Sequence, residues 1–371
     1  SLVLNGTTGI SGTNALTGVT GVNSGQVGGR RNIVINGEMK VAQRATSATG
    51  KTGGTSGYFA LDRWKLQDGT IGTAGRCTIA QIADGPAGFA NCLKISATTA
   101  DTSIDAREAL ILQTRFEGQD LQQLKKGTSS AEQVTVSFYV KGNAAALYVC
   151  ELHDVDNGRN NTQSFAVTTD WNRIELTFAA DTSDPLDDDN AVSLSLNFWL
   201  HSGSNYSGGT FASNTWADIT LANTTAVADR TSIYDSTDRT FFLTGVQMEV
   251  GSTATDFESR SFGEELALCE RYFQLVPQVG LAYAGATTTV DTCVPYRTPM
   301  RAAPTITAIA AITVTNVTAA DFAQSSANIT GSISVGASSA HLRLGNFSSL
   351  TTSDMYLCRN GDMNVAAAAE L

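Results

Sequence analysis

Residues 192–200, VSLSLNFWL, alternate two kinds of side chain. Val192, Leu194, Leu196, Phe198 and Leu200 fall on one face of an extended chain, and Ser193, Ser195, Asn197 and Trp199 on the other. Residues 133–140 repeat the pattern, with Val134, Val136, Phe138 and Val140 opposite Gln133, Thr135, Ser137 and Tyr139. An indole or phenol among hydroxyls and amides suits a sugar, which needs an apolar face to stack on and polar groups to fix its hydroxyls. Left exposed for no purpose, such a ring forfeits the free energy that burial recovers. Tyr206, Phe211 and Trp216 lie in the following long loop and are placed to wall the same surface. The candidate glycan-binding residues are therefore Tyr139, Asn197, Trp199, Tyr206 and Trp216. The alternative is that Trp199 is covered by that loop, or by an adjacent subunit, and only packs.

Other chemistry is weakly represented. Residues 45–52, ATSATGKT, match a relaxed phosphate loop, but the GGTSG that follows cannot open the helix whose amides would bind phosphate. Residues 154–158, DVDNG, resemble the start of a calcium loop. The glycine is one place early and Phe165 stands where a bidentate Glu is needed, so a hairpin turn is expected. Asp181, Asp184, Asp187, Asp188 and Asp189 form an acidic run that suits either a solvated loop or a structural calcium ion. The three histidines, His153, His201 and His341, show no ligand-like spacing, and neither GxSxG nor HExxH occurs. A paired-carboxylate glycosidase leaves no local signature. No catalytic or cofactor-binding residue is assigned, the chain is expected not to be an enzyme, and a metal other than that calcium is left open.

The 371 residues suffice for two or three domains, and they are 42% hydrophobic but only 16% charged. Abundant Thr, Ser, Asn and Gly indicate a β-rich chain with an uncharged polar surface. Twenty-four basic against 35 acidic residues give a net charge of -11. Nucleic acid is thereby disfavoured as a partner, because phosphate binding needs a positive surface. No apolar run reaches the ~18 residues of a membrane span. The opening SLVLNGTTGISG lacks the basic and apolar regions of a secretory signal. The six scattered cysteines are expected to be buried thiols of a chain folded in a reducing cytoplasm.

These residues must be held by strands. Residues 1–30, glycine-rich with spaced single aliphatics, read as an extended arm that orders on a partner, with an unbound tail as the alternative. Short strands without intervening helical pattern occupy 31–260, among them 147–152, 165–167 and 171–178, and indicate an antiparallel β-sandwich. A short helix is expected within 106–124. Val136, Phe138, Leu176, Phe178, Leu194, Leu196, Phe198, Val246 and Met248 are the expected core. After Pro277 the pattern changes to a smaller β-domain, 277–371, with strands near 312–317, 329–335, 341–344 and 355–358.

A linking helix is expected over 261–276. Ser261 and Glu264 have the spacing of a capping box. Leu266, Cys269, Phe273 and Val276 form one apolar stripe, and Leu268, Tyr272 and Leu275 a second. One sandwich edge cannot hide two stripes, so Leu266, Cys269 and Phe273 are the candidate subunit contact of a homotrimer. Cover by the two flanking domains of one chain is the competing arrangement.

Several stretches resemble bacteriophage virion fibre proteins of the tail-fibre and receptor-binding type. They are residues 2–12, then 32–44 with Leu61-Asp62-Arg63-Trp64, then 245–251 with Phe257-Glu258-Ser259-Arg260, then 263–272, and finally Met300-Arg301-Ala302-Ala303-Pro304. The resemblance implies a homotrimeric structural protein of the virion, assembled in the host bacterial cytoplasm. It implies a central domain similar to carbohydrate-binding jelly rolls, attachment to other virion proteins through the N-terminal arm, and binding to host cell-surface glycans. A capsid decoration, head-fibre or adaptor protein with no receptor role is the alternative, and a glycan-cleaving fibre a further one.

Overall fold

The computed structural model describes residues 21–22, 25–26, 30–69, 72–277, 280–317, 323–326, 328–358 and 363–371. Most of the expected arm, residues 1–20, 23–24 and 27–29, lies outside them.

Two six-stranded sheets form the central domain. The strands are β1 (Ser47–Lys51), β2 (Lys65–Asp68), β3 (Arg76–Ile82), β4 (Cys92–Thr99), β5 (Ala109–Glu117), β6 (Val134–Gly142), β7 (Ala146–Asp154), β8 (Arg159–Val167), β9 (Asn172–Phe178), β10 (Val192–Ser202), β11 (Ala217–Asp218) and β12 (Thr240–Val250). One sheet runs β11-β8-β7-β10-β5-β2 and the other β9-β6-β12-β4-β3-β1. Every ladder is antiparallel, the arrangement of a jelly-roll sandwich. All nine expected core residues lie in one cluster between the sheets. Phe198 is fully buried there, its ring edge-on to Phe138 at 5.0 Å and Phe165 at 6.0 Å.

Residues 109–117 form a central strand, not the expected helix, followed by two 3-10 turns. Both faces of β5 are covered, so its sequence lacks the polar alternation that marks a half-exposed strand. In β12, Gly245 stands at a bulge with φ of +60°. A Cβ there would meet the Phe89 and Tyr139 rings within 3 Å, so a left-handed backbone and close ring packing both require glycine.

The linking helix is shorter than expected: α1 spans Phe262–Glu270, capped at Ser261 by the full capping box. Phe273–Pro277 is not helical but forms strand β13. It pairs with β22 (Met363–Ala368), which also pairs with β16 (Thr305–Ala308). Strand pairing against small alanine side chains overrides the helical spacing of the apolar residues. The remaining strands, β14 (Gly280–Ala286), β15 (Thr289–Pro295), β17 (Ile312–Asn316), β18 (Ala323–Ser326), β19 (Asn328–Val335), β20 (Ser339–Gly345) and β21 (Met355–Cys358), build a seven-stranded sheet ordered β18-β17-β21-β14-β15-β20-β19. Its core is separate from that of the sandwich.

Cys269 and Phe273 are buried within the chain, at 0% and 5% exposure, so these two do not form the expected leftover stripe. Phe273 lies under the Arg44 guanidinium, 3.6 Å from ring centroid to Cζ, while Leu266 is half-buried. The C-terminal segment locks the joint. Glu370 pairs with Arg44 at 2.7 Å and with the buried Arg63 at 3.2 Å, and Arg63 lies over the Tyr272 ring at 3.5 Å. None of the six cysteines is in a disulfide, and five are buried while Cys293 is exposed. Among the described residues no helix is long and apolar enough to cross a membrane.

Candidate functional site

The outer face of the first sheet carries the site. On β10, Leu194, Leu196 and Phe198 point to the core, which leaves Ser195, Asn197 and Trp199 on the opposite face. Strand register then builds three rows across the sheet. Glu151, Asn197, Gln113 and Lys65 stand side by side on β7, β10, β5 and β2. His153, Ser195 and Arg115 form the row beside it, and Val149, Trp199, Ile111 and Gln67 the row on the other side.

A cleft of about 300 Å³ lies over these rows, walled by Val155 and Val192 and by Ile219, Leu221 and Thr224 of the long connection after β10. That volume is at the lower end of small-ligand sites. Most of its exposed lining is apolar, with the polar groups of Gln113, Arg115, His153 and Asn197 set into the floor.

Hydrogen bonds fix the floor. Glu151, 3% exposed, accepts from Trp199 Nε1 at 2.7 Å and from Asn197 Nδ2 at 2.9 Å on one oxygen, and from Asn160 Nδ2 at 2.7 Å on the other. Arg115 Nε donates to Gln113 Oε1 at 2.6 Å. Because Asn197 spends its amide nitrogen on Glu151, its Oδ1 is turned away, buried and without a partner. A buried acceptor left unpaired costs free energy. Beside it, burial first and the neighbouring Arg115 second push the Lys65 ammonium down.

Of the five residues expected from sequence, Asn197, Trp199 and Tyr206 come together. Trp199 is on the expected face but is not an open stacking platform. It is 7% exposed, packed against Ala109 and Val149 and covered by Tyr206 and Phe211, with the Tyr206 ring 5.1 Å away. That is the covering-loop alternative, and burial pushes the Tyr206 phenol up. Tyr139 lies elsewhere, on the outer face of the other sheet, against Phe89 at 5.1 Å. Trp216 is elsewhere too, giving its Nε1 hydrogen to the Ala179 carbonyl at 2.7 Å and facing Lys126. Two similar strand patterns do not reveal which sheet each strand joins, and here β6 and β10 lie in different sheets. Glu151 and His153 are not among the residues expected from sequence, although their alternation with Cys150 and Leu152 carries the signal; Gln113 and Arg115 lie on β5, where no such alternation marks them.

In the acidic loop, Asp181 is turned inward to Lys126 at 3.1 Å and Arg159 at 3.2 Å, and Asp184, Asp187, Asp188 and Asp189 are exposed. Residues 154–158 make the expected turn between β7 and β8.

No protein-family model matches the chain, and no curated protein matches it. Solved structures with a similar fold include a family 11 carbohydrate-binding module of a cellulosomal cellulase from Clostridium thermocellum, at 13% identity over 56% of this chain and 99% of that one, TM-score 0.28. Another is TmCBM61 in complex with β-1,4-galactotriose, at 9% identity over 60% of this chain and 99% of that one, TM-score 0.29. A third is the enzymatically active domain of tailspike protein 4 of bacteriophage CBA120, at 12% identity over 51% of this chain and 19% of that one, TM-score 0.26.

Proposed function

We propose that the chain is a glycan-binding structural protein, a trimeric fibre of a bacteriophage virion that holds host surface glycans in the cleft over β7, β10 and β5. The observation that supports the glycan assignment is a cleft in which the amides of Gln113 and Asn197, the Arg115 guanidinium and the His153 imidazole share one lining with Val155, Val192, Ile219 and Leu221. A sugar hydroxyl is both donor and acceptor. It can exchange hydrogen bonds with the Arg115 and His153 side chains, while its ring carbons meet Ile219 and Leu221. Among the described residues lining the cleft, Glu151 is the one carboxylate, and three donors already hold it. Glycoside cleavage uses two carboxylates about the scissile bond, so binding fits this cleft better than hydrolysis.

The virion setting and the trimer rest on the sequence resemblance to fibre proteins. The outer face of the seven-stranded sheet supports self-association, because Leu281, Tyr283 and Met355 are 58%, 45% and 42% exposed and Tyr283 pairs with Met355 across strands. Light scattering on the native protein is expected to give three times the 38.9 kDa chain mass, and a mass of one chain would overturn the trimer. For the glycan assignment, the test is an array of bacterial surface polysaccharides and β-linked oligosaccharides probed with the native chain and with Gln113→Ala/Asn197→Ala. Binding to a subset that the double variant loses is expected. An array with no bound member would reject the assignment.

A further inference from the structure

Strand β10 is irregular where it leaves the cleft. Trp199 pairs with Ile111, but His201 pairs with Leu110, so two steps on β10 match one on β5. A bulge of this kind re-aims the side chain that follows it. His201 stands opposite a core residue, packed edge-on to Tyr234 with ring centroids 5.3 Å apart. It has left the cleft face and entered one end of the sandwich.

Asp101, just after β4, and Glu108, just before β5, meet it there. One ligand atom from each lies within 4.8 Å of the others. Exposure is 5% for Asp101, 5% for Glu108 and 2% for His201. Each is held from behind. His201 Nδ1 is bonded to Ser232 Oγ at 2.7 Å. Asp101 accepts from Thr73 Oγ1 at 3.0 Å, Ala74 N at 3.2 Å and Ser103 N at 3.2 Å. Glu108 accepts from Asp105 N at 2.8 Å.

The front of the imidazole lacks such a partner. His201 Nε2 is buried with no hydrogen bond and stands 3.8 Å from Glu108 Oε2, too far for one. In the tautomer whose Nδ1–H donates to Ser232, the Nε2 lone pair faces two carboxylates and no donor. Lone pairs converging in a buried space call for a cation between them.

We propose that Asp101, Glu108 and His201 form a metal site for a divalent transition ion of the zinc class. One imidazole nitrogen and two carboxylate oxygens, each oriented by a second partner, make the three-ligand set of an open zinc-type site. Bonds of about 2.0–2.2 Å to such an ion bring ligand atoms to roughly 3–3.5 Å of one another, so the ion draws the set inward from a cluster whose Nε2–Oε2 pair stands at 3.8 Å and whose atoms all lie within 4.8 Å. Calcium is the poorer fit, since it takes six or more oxygen ligands. The ion ties the segment after β4 to the start of β5 and the end of β10. Asp101 N already bonds Tyr234 O and Gly203 N bonds Glu108 O, both at 2.8 Å. Its role is to clamp the end of the sandwich where the covering loop of the cleft departs.

The test uses the full chain, stripped with a chelator, dialysed and titrated calorimetrically with Zn²⁺ alone. One equivalent per chain is expected, with a melting temperature raised by roughly several degrees and no comparable rise with Ca²⁺. His201→Gln and Glu108→Gln are expected to abolish stoichiometric uptake, and His341→Gln to keep it. A native chain that takes up no stoichiometric Zn²⁺ overturns the site. So does uptake that survives Glu108→Gln or His201→Gln in a folded chain. If His201→Gln fails to fold, Glu108→Gln and the native titration still decide.

Discussion

Trp199 donates its indole N–H to the Glu151 carboxylate at 2.7 Å, on the same oxygen that receives Asn197 Nδ2. One buried carboxylate thus sets both the tryptophan that walls the floor and the amide that faces the cleft. Glu151→Gln keeps the shape but weakens both bonds, because bonds to an ionised acceptor are the stronger ones. A loss of about 1–3 kcal/mol of stability is expected, measured by urea titration, with cleft affinity falling by roughly tenfold as Asn197 loosens. Unchanged stability and affinity would remove Glu151 from its organising place.

Phe198 lies at the centre of the sandwich, at 0% exposure and in contact with both sheets. Phe198→Ala is expected to cost about 3–5 kcal/mol. The denaturant midpoint should fall with little change in slope, as for a loss of packing in an unchanged fold.

The sandwich was legible because its strands alternate. Val134–Val140, Ile174–Phe178 and Val192–Leu200 each show one apolar face, and all nine residues chosen from such faces lie in the core. β5 was hidden because burial on both faces erases the alternation, and Phe273 was misjudged because helix and strand periods coincide over so few residues. The site was half legible. The outward face of β10 could be read, but not its neighbours, since Glu151 and Gln113 reach Asn197 only through register between strands distant in sequence. His201 was beyond the pattern altogether, since a bulge breaks the alternation that assigns faces.

The joint between the domains depends on a buried cation. Arg63, 2% exposed, pairs with Glu370 and lies over Tyr272. Glu370→Ala leaves that guanidinium without its carboxylate, and a loss of ~3–5 kcal/mol is expected. Thermal unfolding followed by calorimetry checks it. Arg44→Ala, which removes the more exposed partner of the same carboxylate, is expected to cost less.

A pH dependence of stability, favouring the acid side, has a specific source at Asp62. Burial first, opposed by Gln43 and Arg44 and reinforced by Glu370, raises its carboxyl to about 6. A free carboxyl titrates near 3.9, so between about 4 and 6 the folded chain binds more protons at this site than the unfolded chain. Asp62 therefore contributes stability that is complete below about 4 and lost as pH rises through about 6. Asp62→Asn is expected to flatten the stability profile across that window. An identical pH slope in both chains would refute the assignment.

The cleft itself is tested most directly by titrating one glycan bound on the array into three chains: native, Asn197→Ala and Tyr139→Ala. Tyr139 lies on the opposite face of the sandwich, so it serves as the control. The cleft account predicts native affinity for Tyr139→Ala and a loss of at least about tenfold, or 1.4 kcal/mol, for Asn197→Ala, with all three chains folded. Native affinity for Asn197→Ala together with a loss for Tyr139→Ala would contradict it and move the binding surface to the other sheet.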